Sequence, residues 1–262
     1  MSNINNELSA QFDVMYNNVT SNQAPGLNEF EKSVFLTKAQ NMLLIEYFNN
    51  RTDGVGGGFD GSQKRQYDFS QLINTEVLNA YTNAYTCVDK RSVAYSFPTD
   101  YFLTVNEILA DANYQYNVIP LSYDEYSRLM MKPYNFPVKR AVWRLFTGKG
   151  TKKVLVNQEE VEYTIPIAEI IGKPTMENGN PKSDLSGITY TLRYVKKPKP
   201  IILEALTNYG DNLSIEGETN ATECELPVET HQELLERAVT LAKIAWQGGT
   251  ATQAAAQQRE DR

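Results

Sequence analysis

Chemistry in this chain would have to run through very few side chains. There is one histidine, His231, and there are two cysteines, Cys87 and Cys224. Zinc sites draw three or four ligands mainly from His and Cys, so a single chain cannot supply the usual sets. A Ser-His-Asp or Cys-His device would have to use His231, which sits beside Thr230 in the first turn of a helical segment with no nucleophile-elbow pattern near it. A structural or interface role is the reading for it. The cysteines have neither metal nor redox spacing and read as reduced thiols. Gly56 to Gly61 satisfies G-x-G-x-x-G, but a dinucleotide fingerprint needs a strand before it and a helix directly after. Here a helix precedes and the flanks are polar. Thr147-Gly148-Lys149-Gly150-Thr151 lacks the first glycine of a phosphate loop and reads as a hairpin turn. The carboxylates Glu159, Glu160, Glu162, Glu216 and Glu218 fall in polar, turn-like stretches and read as solvated. No catalytic residue, cofactor or metal ligand is expected.

One compact basic patch remains: Lys196, Lys197 and Lys199, punctuated by Pro198 and Pro200. With Tyr190 and Tyr194 just upstream it would suit nucleic-acid backbone or an acidic neighbour. Lys and Pro protecting an edge strand is an equal account. Upstream, Ile188, Tyr190, Leu192 and Tyr194 alternate with Thr189, Thr191, Arg193 and Val195, the period of a strand with two unlike faces. Downstream the period becomes helical, with Leu234, Leu235, Ala238, Leu241, Ala242 and Ala245 on one stripe. Thr230 with Glu233 reads as the capping box that starts this helix.

Earlier segments position the rest. Ile4, Leu8, Phe12, Met15 and Val19 predict a helix over 4–19. Asn28, with Glu31 three residues on, caps a longer one carrying Phe30, Val34, Leu36, Ala39, Leu43, Leu44 and Tyr47. Leu72, Ile73, Val77, Leu78 and Tyr81 predict a third helix over 68–82. Strands follow at 92–97, 101–105, 116–120, 141–146, 153–156, 161–165 and 188–195, with one short helix opened by Ser122 and Glu125. The chain thus reads as a helical region over 1–88 with a flexible glycine-rich loop at 49–64, a β-rich region over 89–225, a C-terminal helix over 226–247, and a tail over 248–262 that is disordered or ordered by a partner. Gly248-Gly249 reads as the stop or kink of that helix. The fold class is α+β, with N-terminal helices and a C-terminal helix packed with a central, mostly antiparallel β region.

Composition sets outer limits. The 262 residues can bury a real core, with 41% hydrophobic and 22% charged content. No apolar run is long enough for a membrane span, and the N-terminus lacks the basic start and apolar core of a signal peptide. The formal net charge of −7 argues against tight, sequence-independent DNA binding over the whole surface. Sixteen tyrosines offer rigid, half-polar contact area suited to wet interfaces, and equally suit half-buried strands.

Taken in order, Asn28-Glu-Phe-Glu, Ala39-Gln-Asn-Met-Leu-Leu, Phe97-Pro-Thr-Asp-Tyr, Val118-Ile-Pro-Leu-Ser-Tyr-Asp-Glu-Tyr, Ala141-Val-Trp-Arg-Leu, Thr191-Leu-Arg-Tyr-Val-Lys-Lys-Pro-Lys-Pro-Ile and Leu226-Pro-Val-Glu-Thr-His-Gln form a set. The set resembles the virion structural proteins of crAss-like and related Bacteroidetes podoviruses, in particular a ring protein of the head-to-tail connector. The resemblance spans roughly residues 1–246. It implies a protein that is not an enzyme, made in the host cytoplasm and located in the virion. It also implies a dodecameric homo-oligomeric ring with the portal and neighbouring tail or ring proteins as partners, transient passage of genomic DNA, and no membrane. A ring of identical copies needs one surface matched to a different surface on the next copy. The expected interface residues are Phe30, Val34, Leu43, Tyr47, Tyr190, Tyr194 and Trp246, with Lys196, Lys197 and Lys199 as a contact patch. Another tail component, such as a tail-tube or muzzle subunit or a tail-fibre adaptor, is the alternative, and a nucleic-acid-binding module a further one.

Overall fold

The computed structural model describes residues 3–17, 26–49, 67, 69–81, 85–132, 136–137, 140–156, 159–210 and 213–260. Beyond Asn49 the glycine loop expected at 49–64 lies outside them. The helices are α1 (Asn3–Asn17), α2 (Glu29–Asn49), α3 (Tyr123–Met130) and α4 (Val228–Glu260). The strands are β1 (Ile73–Leu78), β2 (Val93–Ser96), β3 (Tyr101–Ala110), β4 (Gln115–Leu121), β5 (Ala141–Val156), β6 (Glu159–Ile171), β7 (Met176–Glu177), β8 (Asn180–Pro181) and β9 (Thr189–Lys196). The class is α+β. The chain forms two compact units, residues 1–72 with 198–262 and residues 73–197.

The second unit is a β-barrel. Seven strands pair in the order β1-β9-β3-β4-β5-β6-β2. The two ends of that order meet where Ala80 bridges Tyr95, with Tyr81 N–H on Ala94 O at 2.8 Å and Ser96 N–H on Asn79 O at 3.2 Å. Closure removes the sheet edges that would otherwise need protection. Each strand sends a side chain inward, among them Leu78, Tyr95, Leu109, Val118, Val142, Ile170 and Leu192. β4 and β5 run parallel, so the chain needs a crossover there, and α3 supplies it. Its capping box forms as the sequence predicts, Ser122 and Glu125 each bonding the other's backbone N–H. Tyr126 and Leu129 of α3 then cover Trp143, Leu145 and Ile171 on the outer face of the sheet.

Buried charged groups of the barrel unit have polar partners, while the buried Tyr95 hydroxyl has none among the described residues. Arg144 on β5 reaches Glu107 on β3 at 3.0 Å, both nearly buried. Burial pushes the Glu107 carboxyl up, and Arg144 only partly offsets it. Glu169, fully buried on β6, accepts N–H bonds from Val88 at 2.8 Å and the Ser92 hydroxyl at 2.7 Å, pinning the loop before β2. In that loop Asp89 accepts from Arg91 at 3.1 Å and from the Tyr126 hydroxyl at 2.7 Å. Burial opposes the Asp89 charge, but the Arg91 and Tyr126 bonds outweigh it and hold the carboxyl below its ordinary 3.8.

The first unit packs α1, α2 and α4 together with the irregular segment 198–227. Leu8 and Phe12 of α1, Leu36, Leu43 and Leu44 of α2, and Leu234, Leu235 and Ala238 of α4 are buried. The α2 cap forms, with Asn28 Oδ1 accepting from Glu31 N–H at 2.8 Å and the Glu31 carboxylate from Asn28 N–H at 2.9 Å. Lys32 is buried between Asp13 (2.7 Å) and Glu29 (2.9 Å). Burial lowers its pKa, but the two carboxylates more than compensate, so it stays charged. One face of α2 serves a stretch of chain that has no sheet to join. Ser33 accepts from Leu203 N–H at 3.0 Å, Thr37 accepts from Ile201 N–H at 3.1 Å, and the Gln40 amide donates to Lys199 O at 2.9 Å. Asn5 of α1 donates to Ile202 O at 3.1 Å and Thr222 O at 3.2 Å.

Five expectations need correction. The predicted helix over 68–82 is strand β1 over its middle; β-branched Ile73, Thr75 and Val77 alternate, and pairing with β9 overrides helical periodicity. The hairpin turn at 147–151 does not exist. β5 continues through it with a register shift between Phe146 and Gly148, so glycine marks a bulge there. Gly150 tolerates no side chain, because a Cβ would collide with Ile167 and Tyr81. β9 is flanked by β1 and β3 and is not an edge strand. The box at Thr230 and Glu233 does not start the last helix, which begins at Val228 directly after Pro227; the Thr230 hydroxyl donates back to Pro227 O at 2.7 Å. Nor do Gly248 and Gly249 stop it, since α4 runs on to Glu260. Two glycines cost about 2 kcal/mol relative to alanine, and Ala251 and Ala254 to Ala256 favour continuation.

Two measurements follow from the barrel. Arg144→Met leaves Glu107 alone in an apolar interior and is expected to lower stability by about 3 kcal/mol in urea denaturation. The double variant E107L/R144M should return to within about 1 kcal/mol of wild type, because it removes both charges. Asp89 has a depressed folded pKa, so its contribution is present above 3.8 and is lost as pH falls through a lower value. Asp89→Asn should be less stable at pH 7 and show a shallower loss of stability on acidification below pH 3.8 than wild type.

Candidate assembly surfaces

The expected interface residues separate into two groups. Leu43, Tyr190 and Tyr194 are at most 2% exposed. Leu43 lies in the helical core, and Tyr190 and Tyr194 point into the barrel, where Tyr190 stacks edge-on with Tyr95 at 5.1 Å. The Tyr194 hydroxyl donates to Asp100 at 2.9 Å. These three are corrected: the face of β9 that carries the two tyrosines is the inward one, and they hold no area for a neighbour. Phe30 is half-buried against Ile202, Leu206 and Ile215. Val34 and Trp246 are exposed. Tyr47 belongs to α2, but its side chain lies outside the described ones.

The boundary between the two units falls between Lys197 and Pro198. Lys197 N–H donates to Asp100 O at 2.6 Å, and Lys199 N–H donates to the Glu225 carboxylate at 3.3 Å. His231 is tied locally, its Nε2 3.0 Å from Leu226 O. Cys87 and Cys224 are free thiols, and burial pushes both pKa values up, Cys224 to about 11. A thiol so held is a poor nucleophile at neutral pH. No group of three His, Cys, Asp or Glu among the described residues is placed to hold a metal ion.

Uncovered apolar area lies on the helices instead. α2 exposes Val34, Met42 and Ile45 on one stripe, opposite its buried leucines. α4 exposes Val228, Ile244 and Trp246. Between α1 and α4 runs an apolar groove of about 490 Å³, lined by Ala10, Val14, Met15 and Leu235 among others. In the barrel unit, Leu121, Leu129 and Met131 line a second groove of about 560 Å³ beside α3, rimmed by Glu125, Arg128 and Lys132. The sequence reading missed one feature altogether. β5 and β6 stay paired well past the end of their barrel neighbours: β4 contacts β5 only as far as Leu145, and β2 contacts β6 only from Ile167. The result is a two-stranded arm. The clue is on β6, where Val161, Tyr163, Ile165 and Ile167 alternate with Glu160, Glu162, Thr164 and Pro166 without a break.

Apolar stripes left uncovered in the helical unit, and in the other unit an arm that runs past a barrel fixed by its own core, define a protein whose working parts are surfaces for other chains. The chain matches the phage tail ring protein 3/4 family over residues 3–254 and belongs to that family. It is 42% identical over 246 residues to Ring protein 4/5 of Bacteroides phage crAss001, covering 93% of each chain. It is 29% identical over 249 residues to Ring protein 3 of the same phage, covering 92% of this chain and 95% of that one. It is thus a structural ring protein of a phage virion, and none of its described helices is long and apolar enough to cross a membrane.

Core and surface residues should respond differently to truncation. Tyr194→Ala is expected to lower protomer stability by about 3 kcal/mol, whereas Trp246→Ala should stay within about 0.5 kcal/mol in the same melt. Trp246→Ala should instead raise the concentration at which the assembly forms, read by light scattering.

Proposed function

We propose that this chain forms a closed homo-oligomeric ring in the connector between portal and tail, and that genomic DNA passes through it. The observation that carries this reading is the near full-length likeness to two differently numbered ring proteins of one phage. A virion holding several rings of one fold can stack them, each surface meeting a related surface above and below. The connector level, the portal as partner and a dodecameric count are parts of this proposal, as is the absence of catalysis. The charge agrees with a conduit: at −7 per copy, an assembled ring is strongly acidic. Acidic area facing the lumen would repel phosphates and let DNA slide.

Native mass spectrometry of the purified chain, alone and with the cognate portal, tests the reading. A closed ring, or a stoichiometric complex formed only with portal, is expected; single interfaces can be too weak to offset association entropy until a partner templates them. A chain that remains monomeric with the portal and with neighbouring tail proteins would overturn it. The assembled species should retain DNA poorly even at 50 mM salt, and K196A/K197A/K199A should leave that retention unchanged.

A further inference from the structure

We propose that the β5–β6 arm joins neighbouring copies edge to edge, β5 of one copy pairing with β6 of the next. The inference rests on the ring reading above and adds the interface that closes the ring. Beyond Thr151, whose backbone the Tyr81 hydroxyl engages at 3.2 and 3.3 Å, the β5 ladder has β6 as its one partner through Val156 among the described residues. From Glu159 to Thr164, β6 in turn pairs with β5 alone among the described residues. A ribbon of two strands is marginal in water, and each outer edge carries a row of backbone donors and acceptors ready to take another strand.

Charge decides which strand. The β5 side of the arm carries Lys149, Lys152 and Lys153, and the β6 side carries Glu159, Glu160 and Glu162. Two copies meeting β5 to β5 bring lysines together, and two meeting β6 to β6 bring glutamates together. Both symmetric pairings are penalised. Only β5 against the next copy's β6 joins opposite charges, and that contact uses two different surfaces. It is the head-to-tail geometry a closed ring needs. Charges placed merely to blunt an exposed edge would not have to differ in sign between the two edges.

Charge exchange between separate chains provides the test. K152E/K153E makes both edges acidic, and E160K/E162K makes both edges basic. Each variant alone, at low salt, should need about tenfold more protein to assemble than wild type, measured by native mass spectrometry with portal where wild type requires it. An equimolar mixture should assemble as wild type does, with the two variants alternating, because every junction again joins unlike charges. Rescue on mixing cannot come from within a chain, since each variant keeps its own altered β5–β6 pairing. Rings formed equally well by either variant alone would overturn the arm proposal and leave the ring standing. So would loss of assembly that mixing does not restore. Wild type that fails to assemble under any condition would overturn the ring reading and the arm together.

Discussion

Extended backbone has to put its N–H and C=O groups somewhere, and this protein is organised by where they go. In the barrel they go to neighbouring strands, and the bridge from Ala80 to Tyr95 leaves the circle without an open edge. In the described part of the helical unit, residues 199–203 find only an isolated bridge from Ile202 to Thr222, so Ser33, Thr37 and Gln40 line one face of α2 and take over the rest of that duty. Polar residues in a helix interior usually weaken it, because they compete with its own backbone. Here the competition is resolved in favour of a neighbouring segment, and Asn5 completes the set. Tyrosine hydroxyls finish the accounting at the irregular part of β5, where Tyr81 engages Thr151 and Tyr123 reaches Thr147 O at 3.4 Å. Some of the chain's many tyrosines therefore serve the fold: an aromatic body for the core and a hydroxyl for a backbone atom that would otherwise go unpaired.

The same constraint explains what could be read from sequence. Signals carried within one segment were legible: the caps at Asn28 and Ser122, made by contacts three residues away, and the regular periods of α1 and β9. The features that failed depend on distant partners. β1 looks helical until β9 is laid beside it, and Thr147 to Thr151 looks like a turn until thirteen residues of β6 are aligned against β5. The ladder of Ser33, Thr37 and Gln40 was visible as a spacing of four and three residues. An apolar-stripe search discards it because its residues are polar. For the surface, sequence supplied Val34 and Trp246 but also three residues that the core claims. Pattern marks which positions are apolar; burial depends on which apolar positions find a partner within the chain.

Buried charge follows a related logic. Glu107 with Arg144 is an ion pair in dry surroundings, and buried Lys32 reaches two carboxylates that stay partly exposed; a buried pair contributes little net stability against apolar replacements. Their consequence is specificity of arrangement. A shift of β3 relative to β5 across the intervening β4 would strand a charge inside the barrel. A shift of α1 along α2 would do the same to Lys32. Each pair therefore opposes slippage that hydrophobic packing alone would tolerate. A subunit that must present its outer surfaces in one fixed geometry benefits from having its core locked in this way.

An assembly subunit has to solve two opposed problems with one chain. It must hide its own edges well enough to fold alone, and leave enough unsatisfied surface to find its neighbours. The division in this protein is spatial: the barrel is closed, and the arm is open. Opening an arm carries the risk of pairing with the wrong copy in the wrong sense, and backbone hydrogen bonds cannot prevent that, because every strand edge looks alike to them. Side chains can. In the proposed junction, lysines on one edge and glutamates on the other turn a non-selective edge into a directional one, at the level of single contacts weak enough to be reversible. Repeated around the proposed ring, such junctions would hold each copy at two places, so that a misplaced copy could leave during growth while the closed product would be kept.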